Sequence, residues 1–430
     1  MRIVTVIVTA LLTAATVQAR ISGTWSGKLH VSPQAELELV MNLGTDGRAT
    51  LDSPDQNAFG IPMDVSWNQD DSLAVAVAPI GMKFEGRLDN GELRGTFRQG
   101  LARIPLSLTR RDTAVGHSRP QTPQPPFPYT ETEVTFDGAG GARFAGTLAV
   151  PDTPAAGSPA VVMISGSGAQ DRDETVAAHR PFAVIADHLA RHGIASLRYD
   201  DRGTGGSTGP TDTLTTAGNI ADARKAIAWM RSRESFGRIG VLGHSEGGRI
   251  AFALPVDFIV AIGAPAVRGD TLLADQNRAL LMVNGTDDET AAMYADAFLK
   301  VVNGTDPAVA VAGWEMTPLR RQLTDNLHKV VQSRTTWLDY MLKDDPTADI
   351  AGCRMPVMTV YGAKDQQVSA ALNAPRIRSL LPDATVMVAD GLNHMMQHCT
   401  TGNVTEYGQI EETVAPEVLE AITNWITGLR

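Results

Sequence analysis

A serine, an aspartate and a histidine occur in this chain in an order and in settings that favour nucleophilic catalysis. Ser245 lies in the stretch Gly243-His244-Ser245-Glu246-Gly247, which follows the short apolar run Ile239–Leu242 and precedes a helical pattern. Between a strand and a helix, the pattern glycine-x-serine-x-glycine places the serine on a strained turn with its hydroxyl lifted out of the sheet. Glycine is expected on both sides because a Cβ atom there would collide with the neighbouring strand and helix. The stretch therefore predicts a serine nucleophile.

A serine hydroxyl is a poor nucleophile unless a histidine removes its proton and a carboxylate fixes that histidine. On a strand-helix fold with this turn, the partners follow in the order serine, acid, histidine. Asp365 comes after the apolar run Pro356–Tyr361, and His394 comes after the next such run, Thr385–Val388. Both are in loops at the carboxyl ends of predicted strands, where functional groups collect in such sheets. We expect Asp365 to be the acid and His394 to be the base.

Two neighbouring residues and a second motif compete with this assignment. Asp390 shares the loop of His394 and is expected to serve its turn, and His398 is expected to line the rim of the site. The second glycine-x-serine-x-glycine, Gly205–Gly209, has no strand leading directly into it and runs into Pro210. We interpret it as a structural turn, which shows that the pattern alone is a weak signal.

Negative charge that develops on a carbonyl oxygen needs two backbone N–H groups aimed at it. Glu246 directly follows the nucleophile, at the positive end of the predicted helix, and should supply one of them. The loop Ser165–Gly168 should supply the other, from Ser167 or, as second choice, from Gly166. This loop lacks the Lys-Ser/Thr ending of a phosphate-binding P-loop, which argues against a nucleotide. The spacing of His, Cys, Asp and Glu resembles no zinc site, so we expect neither a cofactor nor a metal.

These residues must be positioned by a sheet. From residue 129 to residue 430 apolar runs alternate with helical patterns, which predicts a mostly parallel sheet with helices on both faces. Between the runs Phe258–Ile262 and Pro356–Tyr361, about 90 residues show helical patterns and no strand pattern. We expect a helical cap at about 266–352 that shapes the substrate pocket and excludes water. A decorative insertion is the alternative.

The N-terminal part of the chain divides into three segments. Met1–Ala19 has an early arginine, an apolar run and a small-x-small end, which predicts a secretory signal peptide cleaved near Ala19. The mature protein is therefore expected to be secreted or periplasmic, without stable membrane insertion. Alternation over residues 20–111 predicts about six to eight antiparallel strands in a small all-β barrel or sandwich, either an accessory domain or a binding module. Asp112–Pro128 is a proline-rich linker.

Composition limits the partners. The chain has 430 residues, is 43% hydrophobic and carries a formal net charge of -11. An acidic chain without basic runs is a poor candidate for binding nucleic acid. Its two cysteines, Cys353 and Cys399, are expected at opposite ends of a core strand, on the order of 20 Å apart. A disulfide needs Cα atoms within about 7 Å, so two free thiols are expected.

The C-terminal part resembles the α/β-hydrolases, and more closely the secreted bacterial esterases related to the serine aminopeptidase and prolyl-oligopeptidase groups. The stretches that carry the resemblance are ISGSGAQDRD (164–173), RPFAVIADHLARHGIASLRYDDRGTGGS (180–207), GHSEGG (243–248), YGAKDQQV (361–368) and GLNH (391–394). The resemblance covers roughly Glu131 to Arg430. It implies an α/β-hydrolase fold, the roles given above for Ser245, Asp365 and His394, and hydrolysis of short-acyl esters. Two charged clusters, Asp171-Arg172-Asp173 and Asp200-Asp201-Arg202, look like supports for the oxyanion loop.

The expected function is that of a carboxylesterase acting on a small-molecule ester through an acyl-enzyme. The alternative is an aminopeptidase or a dipeptidyl-peptidase-like exopeptidase with the same triad. It would need an anionic anchor for a free ammonium group, for which Asp287, Asp288 and Glu289 are candidates. These acids would equally suit a helix start. Acyl transfer to another acceptor stays open, and the complete set of catalytic parts argues against a binding protein with a vestigial triad.

Overall fold

The computed structural model describes residues 21–32, 35–44, 49–54, 58–68, 71–77, 80–100, 102–111, 119–153, 157–211, 214–233 and 236–429. The described residues separate into two compact units. The first contains those up to Arg119 together with Tyr407–Glu411, and the second contains Pro120–Glu406 and those from Glu412 onward. The predicted signal peptide, Met1–Ala19, and residues 112–118 of the predicted linker lie outside the described residues.

The first unit is an antiparallel sheet of nine strands within its described residues, in the order β4-β3-β2-β1-β9-β8-β7-β6-β5. The strands are β1 (Gly23–Ser32), β2 (Ala35–Leu43), β3 (Ala49–Ser53), β4 (Ala58–Pro62), β5 (Asp64–Asn68), β6 (Ser72–Val77), β7 (Met82–Asp89), β8 (Glu92–Gln99) and β9 (Ala102–Arg111). β4 and β5 form opposite edges of the sheet, yet only Met63 separates them along the chain. The sheet must therefore curl until its edges are close, which makes it a nearly closed barrel. The expected all-β barrel is confirmed, but the expected number of six to eight strands was too low.

The second unit is built on a sheet of eight strands within its described residues, in the order β10-β11-β13-β12-β14-β15-β16-β17. The strands are β10 (Tyr129–Asp137), β11 (Arg143–Pro151), β12 (Ala160–Ile164), β13 (Ala195–Tyr199), β14 (Ile239–His244), β15 (Ile259–Ile262), β16 (Val357–Gly362) and β17 (Thr385–Ala389). β11 runs antiparallel to its neighbours β10 and β13, and the pairs from β13 to β17 are parallel. This mostly parallel sheet, with a serine turn after β14, has the α/β-hydrolase fold that was expected.

Helices cover both faces of this sheet and form a cap. They are α1 (Pro181–Arg191), α2 (Thr216–Arg231), α3 (Glu246–Ala251), α4 (Gly269–Val283), α5 (Asp288–Val302), α6 (Pro307–Ala310), α7 (Pro318–Gln332), α8 (Thr336–Lys343), α9 (Thr347–Gly352), α10 (Ala370–Leu380) and α11 (Pro416–Gly428), with short 3-10 turns at Ala139–Gly141 and Val404–Gln409. On β12, Val161 and Met163 pack with α1 and α11, while Val162 and Ile164 pack with α2, α3 and α10. The inner strands β12 to β16 are buried on both faces, which explains their continuous apolar runs.

The expected helical cap is confirmed: α4 to α9 lie between β15 and β16, and α4 to α8 share a hydrophobic cluster of their own. Several of these helices are preceded by a residue whose side chain accepts a hydrogen bond from a backbone N–H group of the first turn. Asp287 accepts a hydrogen bond from the Thr290 N–H at the start of α5, and Thr317 accepts one from the Arg320 N–H at the start of α7. Such caps satisfy N–H groups that the helix itself leaves unpaired. In the part of the chain that the structure describes, no helix is long and apolar enough to cross a membrane.

Candidate active site

Ser245 lies on a strained turn between β14 and α3. Its backbone has φ 53 and ψ -120, a left-handed conformation that is costly for a residue with a side chain and that clusters at functional sites. The turn has no room for residues larger than glycine on either side of the Ser245 segment. A Cβ atom on Gly243 would lie 2.2 Å from the Gly247 carbonyl oxygen, and one on Gly247 would lie 2.0 Å from the Ile164 carbonyl oxygen. The two glycines therefore let β12, β14 and α3 close tightly around the serine.

Asp365 and His394 form a buried pair in the loops after β16 and β17. The Nδ1 atom of His394 lies 2.7 Å from Oδ2 of Asp365, and the residues are 3% and 4% exposed, respectively. When Nδ1 carries the proton shared with a carboxylate, Nε2 is left as the acceptor that a general base needs. A Cβ atom on Gly263 would lie 3.0 Å from Cε1 of His394, so a side chain at this position would crowd the ring beside the end of β15.

The end of β15 lies next to both Ser245 and His394. The Ser245 N–H donates a hydrogen bond of 2.8 Å to the carbonyl of Ile262, the residue before Gly263. The structure thus brings the three residues of the expected triad to the same end of the sheet, as their positions after β14, β16 and β17 require.

The competing residues are engaged elsewhere. Asp390 is exposed in the turn after β17. His398 is also exposed, and its ring nitrogens lie 2.9 Å from a carboxylate oxygen of Glu412 and 3.0 Å from one of Glu417. The hydrogen bond to Glu412 and the negative charge of both acids raise the pKa of His398. His398 is therefore a solvent-facing partner of two carboxylates, and its expected place on the rim of the site stays a prediction.

The second serine motif is a structural turn, as interpreted from the sequence. The Ser207 hydroxyl donates to the Asp200 carbonyl at 2.7 Å and accepts from the Ala145 N–H at 2.9 Å. Its residue is 4% exposed. Both hydrogen-bonding functions of this hydroxyl thus serve to join the turn to β11 and β13.

The loop Ser165–Gly168 lies against the nucleophile, but one of its expected oxyanion donors is wrong. A Cβ atom on Gly166 would lie 3.1 Å from Cβ of Ser245, so the loop passes close to the serine. However, the Gly166 N–H donates a 2.6 Å hydrogen bond to Oε1 of Glu174. A donor held by a buried carboxylate does not stabilise a substrate oxyanion. Ser167 remains the candidate from this loop, and Glu246 remains the candidate from the first turn of α3, where N–H groups have no intrahelical partner.

The two charged clusters hold this loop in place, as the resemblance implied. The Asp201 carboxylate accepts hydrogen bonds from the Ser165 hydroxyl at 3.0 and 3.1 Å and from the Gln170 N–H at 2.9 Å. The Arg172 guanidinium donates two hydrogen bonds to the Asp200 carboxylate, at 3.1 and 2.9 Å, a geometry that fixes both partners. Burial raises the pKa of Asp201 to about 7, although hydrogen bonds from Gln170 and Ser165 oppose the shift.

His244 is a functional candidate that sequence reasoning missed. Its Nδ1 lies 2.9 Å from Oε1 of Glu174, and its Nε2 lies 3.0 Å from the carbonyl oxygen of His394. The two histidine rings are 4.6 Å apart between centroids. Burial lowers the pKa of His244, but the Glu174 carboxylate and the His394 carbonyl more than offset this, so its pKa is raised. A histidine directly before the nucleophile and a glutamate directly after Asp171-Arg172-Asp173 were the available signals.

The cap is attached to the helix that follows the nucleophile. Arg249 on α3 donates hydrogen bonds of 2.6 and 2.9 Å to the carboxylate of Asp344, which follows α8. The third guanidinium nitrogen, Nη1, lies 2.8 Å from the carboxylate of Asp349 on α9. The Ser369 hydroxyl before α10 donates a 2.6 Å hydrogen bond to Asp275 of α4. These contacts fix the cap helices relative to the strand ends where the triad lies.

The two cysteines are free, as expected. Cys353 is buried, and burial raises the pKa of its thiol to about 11, which keeps it in the unreactive thiol form. Within the described residues, no group of three or more His, Cys, Asp and Glu side chains could hold a metal ion.

The sheet order, the strained serine and the buried histidine–aspartate pair define an α/β-hydrolase with a serine nucleophile. Residues 137–376 match the family model described as X-Pro dipeptidyl-peptidase (S15 family). This match covers more than half of the 430 residues, and the chain belongs to this family. The expected enzyme class, serine hydrolase, is confirmed at this level.

Similar proteins are esterases. The chain is 26% identical over 280 residues to esterase EstD of Thermotoga maritima, an alignment that covers 63% of this chain and 61% of EstD. Among solved structures, the Pyrococcus furiosus esterase Pf2001 has a TM-score of 0.43 at 15% identity, covering 70% of this chain and 92% of its own. Est1E of Butyrivibrio proteoclasticus, solved with ferulic acid bound, has a TM-score of 0.43 at 15% identity, covering 68% and 98%.

Proposed function

We propose that this protein is a carboxylesterase that hydrolyses short-acyl esters of small molecules through Ser245, Asp365 and His394. The observation that carries the proposal is the buried Asp365–His394 pair, 2.7 Å apart, at the same end of the sheet as the strained serine turn. A carboxylate in this position fixes the tautomer in which the far nitrogen of the histidine accepts the serine proton.

The reaction follows from this geometry. His394 Nε2 takes the proton of Ser245 as Oγ attacks the ester carbonyl, and the N–H groups of Glu246 and Ser167 stabilise the oxyanion. The imidazolium then returns the proton to the departing alcohol, which leaves an acyl-enzyme. Water, deprotonated by His394, attacks the acyl-enzyme and releases the carboxylic acid.

An exopeptidase is the second candidate, because the family model is described as an X-Pro dipeptidyl-peptidase. Cleavage from a peptide N-terminus requires an anion for the free ammonium group. The cap acids considered for this role are exposed, and two of them have structural partners. Asp287 caps α5 by accepting the Thr290 N–H at 2.8 Å, and Asp288 accepts a 2.5 Å hydrogen bond from Arg278. Their positions favour a structural role, and the esterase is the better-supported function.

The test is hydrolysis of p-nitrophenyl esters from acetyl to decanoyl, beside aminoacyl- and X-Pro-anilides, with protein beginning at Arg20. We expect fast turnover of short esters, inert anilides and no turnover by the Ser245→Ala variant. Anilide cleavage at rates matching the esters would establish the exopeptidase instead. Turnover by Ser245→Ala equal to the parent would exclude this triad. A competing alcohol added during ester hydrolysis, with analysis for the new ester, tests transfer to an acceptor other than water.

Export is part of the proposal and rests on the sequence of Met1–Ala19. We propose that this segment is cleaved and that the mature enzyme acts outside the cytoplasm. N-terminal sequencing of the full-length protein expressed in a Gram-negative host is the test, with release of the periplasmic fraction. A mature N-terminus near Arg20 in that fraction is expected, and an intact Met1 in the cytoplasm contradicts export.

A further inference from the structure

His244 joins the two loops that flank the nucleophile. On one side, Oε1 of Glu174 accepts both the His244 ring N–H at 2.9 Å and the Gly166 N–H at 2.6 Å. On the other side, the His244 Nε2 lies 3.0 Å from the carbonyl oxygen of His394. The loop Ser165–Gly168 (the oxyanion loop) and the loop that contains His394 (the base loop) are therefore linked to each other through His244, the residue before Ser245.

Each segment that meets at His244 is strained. Glu174 has φ 53, Ser245 has φ 53, and Met396, two residues after the base, has φ 59. Left-handed backbone at residues with side chains is costly and persists only where the surroundings impose it. Glu174 is 3% exposed and His244 is 8% exposed, so the strained residues surround a contact that is buried.

The partners of the two His244 ring nitrogens favour one charge state of this residue. Both of its ring nitrogens face acceptors, one a carboxylate oxygen and the other a carbonyl oxygen. A carbonyl only accepts, and an ionised carboxylate only accepts. With an ionised Glu174 as one of the acceptors, both ring nitrogens act as donors, which corresponds to an imidazolium at His244.

The surroundings of His244 favour its positive charge. The titratable groups that act on it are Glu174, in contact, and Asp365, whose negative charge also raises the His244 pKa. The ring of His394 lies against it, 4.6 Å away. Beside the pair is a small cavity of about 10 Å³, also lined by side chains of α1, Ile262, Met395, Met396 and Val414. In such apolar surroundings a charged hydrogen bond is stronger than in water.

We propose that His244 and Glu174 form a charged positioning pair that holds the oxyanion loop and the base loop in register with Ser245. This inference rests on the proposed function, because it assigns both residues to the same serine chemistry. The pair does not touch substrate. It fixes the His394 backbone from one side while Asp365 fixes the His394 ring from the other, and it fixes Gly166, next to the oxyanion donor Ser167.

The experiment measures the rate at which a fluorophosphonate probe labels Ser245, as a function of pH. Labelling needs the nucleophile, the base and the oxyanion hole, but not the natural substrate. The variants are Glu174→Gln, His244→Gln and the double variant, each checked for folding by circular dichroism. The control is His398→Gln, because His398 is an exposed histidine that also pairs with carboxylates but lies outside the pair. Ser245→Ala gives the background.

Glu174→Gln keeps an oxygen for the Gly166 N–H but removes the charge, so His244 should lose its proton at lower pH. We expect labelling to fall by about 100-fold above neutral pH, the effect of a misplacement near 1 Å. We also expect the alkaline limb of the rate profile to move to lower pH. The labelling rate of the double variant should agree with that of the single variants to within about twofold. Each single substitution already breaks the same contact between His244 and Glu174. The His398→Gln rate should equal that of the parent.

Three results overturn the proposal: parent-like labelling in both single variants, losses that multiply in the double variant, or reduced labelling with an unchanged pH profile. A second measurement does not depend on catalysis. In protein labelled with ¹⁵N-histidine, the signals absent from the His244→Gln variant report the charge state of His244. Two protonated nitrogens at pH 7 support the pair, and a single one contradicts it. If the parent protein takes up no probe at all, the proposed function fails, while the NMR result still decides the pair.

Discussion

The Asp365 carboxylate binds His394 with one oxygen and its own loop with the other. Oδ2 lies 2.7 Å from the His394 Nδ1, whereas Oδ1 accepts the N–H groups of Gln367 and Val368, each at 2.8 Å. Backbone N–H groups of its own loop therefore fix the orientation in which the Asp365 carboxylate meets the His394 ring. This arrangement allows a carboxylate in a loop to hold an imidazole in one tautomer.

Exchange of this carboxylate for an amide tests the assignment of the acid. In Asp365→Asn the amide nitrogen cannot accept the Nδ1 proton, which favours the tautomer that leaves Nε2 protonated. We expect kcat for an acetyl ester to fall by about 10⁴-fold, as for the same exchange in other triads. The matched control is Asp390→Asn on the exposed turn, which should leave kcat unchanged. The reverse ranking would move the acid to Asp390.

The two serine motifs give a second pair of variants. Ser245→Ala should abolish ester turnover while the unfolding free energy stays close to that of the parent. Ser207→Ala should keep turnover but lower the unfolding free energy by about 1–3 kcal/mol, because it leaves buried backbone partners without their hydrogen bonds. Urea unfolding and ester turnover measured on both variants separate the roles. Loss of turnover in a folded Ser207→Ala protein would contradict the structural interpretation.

The attachment of the cap to α3 predicts a stability effect. Arg249 and Asp344 have side chains that are 7% and 14% exposed. Arg249→Met leaves the Asp344 carboxylate buried without its partner, which should cost about 3–5 kcal/mol of unfolding free energy. The control is Arg278→Met, whose pair with Asp288 is 43% and 63% exposed and should contribute less than about 1 kcal/mol. Equal losses of unfolding free energy in the two variants would contradict a special contribution of the Arg249–Asp344 contact to the stability of the cap.

The places of the three proposed triad residues in the fold could be predicted because local sequence determines where each of them lies. Ser245 is set by two glycines whose Cβ atoms have no room, and Asp365 and His394 each follow a strand whose apolar run is unmistakable. The number of strands in the first unit was harder to predict from the sequence. β4 and β5 are separated by Met63 alone, so alternating residues continue from one strand to the next without a turn signal.

The contacts of His244 and Gly166 could not be read from the sequence. His244 lies 70 residues from Glu174 and 150 residues from His394 along the chain. Glu174 reaches Gly166 from an irregular loop through a left-handed backbone that no residue preference indicates. Hydrogen bonds between loops depend on the assembled sheet, and for that reason Gly166 was wrongly expected to donate to an oxyanion.

Asp201 provides a pH-dependent test of the oxyanion-loop support. Burial, with the nearby negative charges of Glu174 and Glu246, raises its pKa in the folded protein to about 7, from an ordinary value of 3.8. An acid with a raised pKa binds its proton more tightly in the folded state than in the unfolded state. Its contribution to stability is therefore fully present below about pH 4 and is lost as the pH rises through about 7.

In Asp201→Asn this dependence is removed, while the amide oxygen can still accept the Gln170 N–H and the amide nitrogen can donate to the Ser165 hydroxyl. The other titrating groups are common to both proteins and cancel in the difference between them. We expect the unfolding free energy of the variant, measured in urea relative to the parent, to increase between pH 5 and pH 8. A difference that stays constant over this range would show that Asp201 is ionised throughout, and that the Ser165 hydroxyl always donates to a carboxylate.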